Sequence, residues 1–180
     1  MITCPFGPPK GFNWPNITFQ LAPVVIWPAP LQVTRPTIHE YVTPLERVFL
    51  VDELPPWHTN RLSRLVKSAR LHIADTGLAG ALLGLAGAKL WGDRAMYGQM
   101  LETFVYQELS RQASWHPDPV RFYNYRNKDN AEVDIVLEGP GGRVTGVEVK
   151  AFATVEARDF RSLPKLREAV GKKFAAGMVL

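Results

Sequence analysis

Cysteine is nearly missing from this chain: Cys4 is the one thiol in 180 residues. No internal disulfide can form, and a zinc site built on paired cysteines is excluded. A reducing, cytoplasmic setting is the resulting expectation. Long apolar runs are missing too. The longest, Leu78 to Leu90, is broken by Gly80, Gly84 and Gly87, whereas a membrane helix needs about 20 apolar residues. The N-terminus has no charged head followed by a clean apolar run, so no secretion signal is read. The formal sequon Asn16-Ile17-Thr18 is therefore read as chance. No GxxxxGK[ST], HExxH or GxSxG occurs, so the chain shows no phosphate loop for ATP, no zinc-protease helix and no nucleophile elbow. Charge of either sign is scarce in excess: 21 basic less 17 acidic residues leaves +4. That sign suits an anionic partner such as nucleic acid without demanding one.

What is present is unevenly spread. Residues 1–30 hold seven of the fifteen prolines, a single charge at Lys10, and Trp14 and Trp27. Proline blocks helix interiors and central strands, so this leader should be irregular. It reads as a proline-rich arm, as a proline-motif ligand, or as sequence from a shifted frame or misplaced start codon. From Gln32 the texture is that of an ordinary globular protein. Thr34 is a candidate N-cap with Pro36 in the first turn, and Ile38, Tyr41, Val42 and Leu45 follow a helical period that Pro44 should distort. Val48 to Leu54 reads as a strand ended by Pro55-Pro56-Trp57, with Trp57 as a packing plug. Arg61, Arg64 and Lys67 read as a solvated face, with phosphate contact the minority reading.

Leu71 to Ala74 reads as a strand carrying His72 as a satisfied core histidine, and Asp75 or Thr76 caps a small-residue helix from Leu78. A long amphipathic helix should run from about Tyr97 to Gln112. Val120 to Arg126 and Ala131 to Glu138 follow as strands, the second strictly alternating. Tyr123 and Tyr125 read as cross-strand packing rather than a base platform, and Arg126 and Lys128 as solvated charges. Arg143 to Ala151 is the return strand of a hairpin. Ser162 caps a helix to about Val170, and a last strand opens at Ala175.

The hairpin carries the chemistry. If Pro140-Gly141-Gly142 is a three-residue loop, facing residues sum to 282, and Asp134 lies across from Glu148. Glu148 and Lys150 share a strand face, so three ionisable groups cluster in front of Val133, Ile135, Val147 and Val149. Facing carboxylates repel, and Mg²⁺ relieves that repulsion while keeping waters of its own. Such a metal could activate water against a phosphodiester. The alternative is a wet hairpin face with a common Glu148–Lys150 surface pair.

Asp134, a hairpin, then Glu148-Val149-Lys150 resembles the D…ExK core of the PD-(D/E)xK nuclease superfamily. Glu102 matches the acidic residue supplied there by a preceding helix, with Glu108 a weaker candidate. The resemblance is closer to the domain of unknown function at the C-terminal end of many prokaryotic AAA+ ATPases. It rests on Arg47-Val48-Phe49-Leu50-Val51, Leu54-Pro55-Pro56-Trp57, Asp75-Thr76-Gly77-Leu78, Tyr123-Asn124-Tyr125-Arg126, Ala131-Glu132-Val133-Asp134 and Val147-Glu148-Val149-Lys150.

The resemblance implies an α+β, nuclease-like (α/β) fold. Residues 1–30 would be the leader and 31–68 a partial winged-helix segment. Residues 69–180 would be a helical region plus a mixed sheet flanked by helices, cut short at its C-terminus. It implies Asp134 and Glu148 as metal ligands for Mg²⁺, the Val149 carbonyl as a third, Lys150 orienting water and Glu102 assisting. Three readings stay open: a regulatory or nucleic-acid- or partner-binding scaffold for an ATPase core, a Mg²⁺-dependent nuclease, and a truncated remnant. None involves a membrane or an ATP site in this chain.

Overall fold

The computed structural model describes residues 35–59, 69–85, 87–152 and 154–180. Expectations for the leader, for Thr34 and for Arg61, Arg64 and Lys67 fall outside the described residues. The first element is helix α1 (Arg35–Arg47), which contains Pro44 in its last turn. The predicted strand from Val48 is shortened, because Val48 to Leu50 close the helix. The Val48 and Leu50 N–H groups donate to the carbonyls of Pro44 and Leu45 at 3.2 and 2.9 Å. Phe49 takes the left-handed conformation (φ 58°) that helix ends require. Strand β1 (Val51–Leu54) then pairs antiparallel with β2 (Arg70–Ile73), Val51 opposite Ile73 and Leu54 opposite Arg70.

Asp75 caps α2 (Thr76–Leu83), accepting from the Leu78 N–H, and Gly84 ends it in the left-handed region at φ 63°. A short helix α3 (Ala88–Gly92), not anticipated, precedes α4 (Arg94–Ser114), capped by Asp93. The remaining strands are β3 (Arg121–Arg126), β4 (Glu132–Glu138), β5 (Val144–Glu148) and β6 (Phe174–Val179). They form one mixed sheet in that order, with β5 and β6 parallel. The crossover carries α5 (Ser162–Val170), as a parallel connection requires. Ser162 does not cap it. The chain enters α5 from a tight turn at Ala157–Phe160, so Arg161 is already helical when it takes the cap position. Among the described residues no helix is long and apolar enough to cross a membrane.

The hairpin register is the expected one: Ile135 faces Val147, Glu138 faces Val144, and the Gly139 N–H meets the Arg143 carbonyl at 2.9 Å. Gly141 and Gly142, at φ 68° and 71°, supply the turn. The strict alternation of β4 is not observed. Its register against β3 slips between Tyr123–Val136 and Tyr125–Val133, so β4 carries one extra residue around Asp134 and Ile135. Val133 and Val136 therefore pack with Tyr123, Tyr125, Trp57, Leu163 and Leu166 of the α5 side. Ile135 packs with Leu54, Tyr106 and Val147 of the α4 side. Both faces of the sheet are covered.

The bulge also frees Asn124. Its N–H donates to the Pro55 carbonyl (2.9 Å), its carbonyl accepts from Trp57 (2.6 Å), and its side chain donates to the Leu54 carbonyl (2.7 Å). The segment after β1 is thereby stitched to β3. Trp57, buried as expected, closes this joint with its indole N–H on Glu138 at 3.1 Å.

Gly146 lies directly under α5. A Cβ there would stand 2.7 Å from Leu166 Cδ2 and 2.9 Å from Leu163 Cδ2, inside van der Waals contact. Gly146→Ala should cost about 1–3 kcal/mol of stability, read as a lower urea midpoint, whereas Gly139→Ala, with open space around it, should change it far less.

Candidate functional site

Four residues singled out in the sequence do converge: Glu102 from α4, Asp134 from β4, Glu148 from the end of β5, and Lys150 just beyond it. The hairpin register, with Ile135 opposite Val147, carries Asp134 beside Glu148, close enough for each to feel the other's charge. Lys150 Nζ donates to Glu148 Oε2 at 3.1 Å. The Val149 main chain meets Asp134 through its N–H, which donates to Oδ2 at 2.9 Å.

The centre of the cluster is a residue that sequence reasoning passed over. Arg70, on β2, is 8% exposed. Its Nη1 lies 2.6 Å from Glu102 Oε1 and 3.2 Å from Asp134 Oδ1, and its Nη2 lies 3.2 Å from Glu132 Oε2. Arg126, expected as a solvated charge, holds the other side of Glu132 at 3.0 Å. The sequence signal for Arg70 was an arginine just before the short strand that carries His72, which by itself names no partner. Glu108 does not join; it is exposed and paired with Arg111 at 2.5 Å.

Burial sets the proton affinities. Glu148 is pushed up to about 8, first by burial and then by the Asp134 charge and hydrogen bond, with Lys150 offsetting part of the rise. Glu102 is pushed up to about 7 by burial and by Asp134, against the pull of Arg70. Burial alone would lower Arg70, but Glu102, Asp134 and Glu132 outweigh it and hold the guanidinium charged. Lys150 is raised in the same way by Glu148 and Asp134.

His72, also on β2, is forced down to about 4 by burial and by Arg70. Its Nδ1 meets Thr103 Oγ1 at 3.1 Å, while Nε2 has no hydrogen-bond partner among the described residues. The histidine is buried as expected but only half satisfied.

These residues fit a divalent cation poorly as they stand. Both Asp134 oxygens are taken, one by Arg70 and one by the Val149 N–H, and Glu148 Oε2 is taken by Lys150. Among the described residues no group of three or more His, Cys, Asp or Glu side chains is placed to hold a metal ion. The charge relief assigned in the sequence to Mg²⁺ is supplied here by a guanidinium and an ammonium. A separate cleft of about 680 Å³, lined by Gly80, Ala81, Met100, Leu101 and Phe104 among others, is apolar and carries none of these groups.

The raised carboxyls predict a pH dependence. A carboxyl that holds its proton more tightly when folded adds stability below its unfolded value, and this is lost as pH rises through its folded value. For Glu148 that window runs from 4.5 to about 8, and for Glu102 from 4.5 to about 7. His72 acts oppositely, adding stability as pH rises from about 4 to 6.5. Above 6.5 only the carboxyls remain. Stability in urea titrations should therefore fall from pH 6.5 to 8, by at most about 3 kcal/mol. Glu148→Gln, which keeps the neutral form, should flatten most of that slope.

Two family models match parts of the chain. Residues 28–89 match the family model of a domain of unknown function, DUF8612, and residues 97–180 that of another, DUF4143. Uncharacterized proteins of Mycobacterium bovis and Mycobacterium tuberculosis are each 32% identical over 133 residues, 73% of this chain. The match spans 29% of the length of each relative. No solved structure matches. The segment that carries Glu102, Asp134, Glu148 and Lys150 is thus similar to DUF4143, a domain of unknown function commonly found with AAA ATPases.

Proposed function

We propose that the chain is a nuclease-like scaffold of the PD-(D/E)xK type, acting in the cytoplasm with an AAA+ ATPase core and binding nucleic acid or a protein partner without cutting it. The observation that carries this reading is the Arg70 guanidinium at 3.2 Å from Asp134 Oδ1. It neutralises the carboxylates from within and takes the face through which a hydrolytic metal would act. Helix α1 followed by β1, which pairs antiparallel with β2 just beyond the segment, supports reading residues 31–68 as part of a winged helix. A second reading, Mg²⁺-dependent phosphodiester hydrolysis, is favoured by the convergence of Asp134, Glu148 and Lys150 with Glu102, and requires Arg70 to leave Asp134.

Thermal melts of the parent and of Glu148→Gln, with and without Mg²⁺ or Mn²⁺, separate the two. A ligand confined to the folded state adds about 2.7 kcal/mol at a hundredfold excess over Kd. The scaffold reading expects no metal-dependent rise and intact labelled single and double strands after incubation. A rise in the parent that is lost in the variant, together with strand cleavage, would establish the hydrolytic reading instead. Arg70→Ala leaves three carboxyls without their shared cation and should cost about 3–5 kcal/mol. Adding Glu102→Gln should return part of that loss in the same melts.

A further inference from the structure

Two of the most exposed large apolar side chains belong to one cluster. Trp91 on α3 is 62% exposed, and Phe152, in the loop after β5, is 70% exposed. Scattered apolar side chains on a surface need no explanation, but these two come from distant parts of the chain and are gathered by a single residue. The guanidinium carbon of Arg94 stands 4.6 Å from the Trp91 ring centre, 5.2 Å from Tyr97 and 5.7 Å from Phe152. Its Nη2 donates to the Ala151 carbonyl, which anchors it to the loop beside Phe152. Trp91 meets Tyr97 edge-on at 5.3 Å and 70°. The rings and the cation therefore form one preorganised surface. Through Ala151 and Phe152 it borders Lys150, whose side chain is 31% exposed.

We propose that Trp91, Arg94 and Phe152 are a stacking platform for single-stranded nucleic acid, with Lys150 as a flanking contact to its phosphates. Unpaired bases offer π-faces that exposed rings can stack on, and the backbone supplies the anions that Arg and Lys meet. A duplex hides those faces. A protein partner is the weaker fit, because interface hot spots sit inside a rim that excludes water. Here Lys89, Gly92 and Asp93 beside Trp91 are exposed, and Leu90 is half-buried. Asp93 is turned back to cap α4, its carboxylate accepting from the Met96 N–H at 3.0 Å. The inference rests on the scaffold reading, and names the ligand class that scaffold would hold.

The test is fluorescence anisotropy with labelled DNA and RNA single strands of about 20 nucleotides and the matching duplex. It compares the full chain with Trp91→Ala, Phe152→Ala, the double variant and Trp115→Ala. Trp115 is 73% exposed and lies outside the platform, so it controls for loss of any surface tryptophan. Melts check that each variant folds. Each platform substitution should weaken single-strand binding about tenfold or more, with the control unchanged and the duplex bound less tightly than the single strand. The proposal is overturned if the parent binds no single strand, or if the folded double variant binds as the parent does. It is also overturned if the duplex binds equally well, or if the double variant abolishes self-association in sedimentation without any strand binding, which would make the patch a protein contact. Strand cleavage in the same mixtures would count against the scaffold reading while leaving the platform result to stand by itself.

Discussion

A guanidinium buried among three carboxylates is the constraint around which this molecule is arranged. Arg70 can be removed from water only because Glu102, Asp134 and Glu132 are removed with it. Those carboxyls come from α4 and β4, while Arg70 comes from β2. Burying a charge is costly unless it is paired and hydrogen-bonded, so each element is held to the others by the penalty that separation would bring. The same penalty raises Glu102 and Glu148 toward neutrality, which lessens the charge the interior must hold.

That ion cluster crosses the boundary between the two segments with separate family matches. Arg70 lies within residues 28–89, and its partners lie within 97–180. Asn124 repeats the arrangement with neutral groups, joining the main chain of 54–57 to β3. Gln107, on α4, donates to the Ile73 carbonyl of β2. Charged and neutral contacts alike bind the β1–β2 ribbon to the larger sheet, so the two segments pack as parts of one structure. The apolar contacts agree: Leu54 of β1 is fully buried with Ile135, Val147 and Tyr106.

The carboxylates and lysine that the sequence groups together are met in the fold by cations of the chain itself. Two facing carboxylates need a cation, but sequence spacing does not say which cation. Here the pair Asp134 and Glu148 is answered by Arg70 and Lys150, and burial beside Asp134 raises the proton affinity of Glu148. The surface next to it is organised by a cation as well, with Arg94 gathering rings that would otherwise point separately into solvent.

Much of the fold was legible in the chain because it rests on local rules. The three-residue glycine loop set the β4–β5 register and so brought Asp134 to Glu148. Asp75 announced the start of α2, and the helical period of 97–112 marked α4. Asp134, Glu148 and Lys150 were readable as a cluster because one hairpin places them, whereas Glu102 was added only by the family resemblance. Three things were not local. The extra residue in β4, which sorts Val133 and Ile135 onto opposite faces, arises where β3 must also meet the 55–57 segment. The cap of α5 passed from Ser162 to Arg161 because the preceding turn was already helical. Arg70 entered the carboxylates because β2 is carried there by its pairing with β1 and by the docking of β1 on β3. Sequence alone determined which charges would need a counter-ion, since spacing along strands and helices fixes neighbours within an element. Only the tertiary structure decided that the counter-ion is an arginine, because that depends on which distant strand is brought into the same dry space.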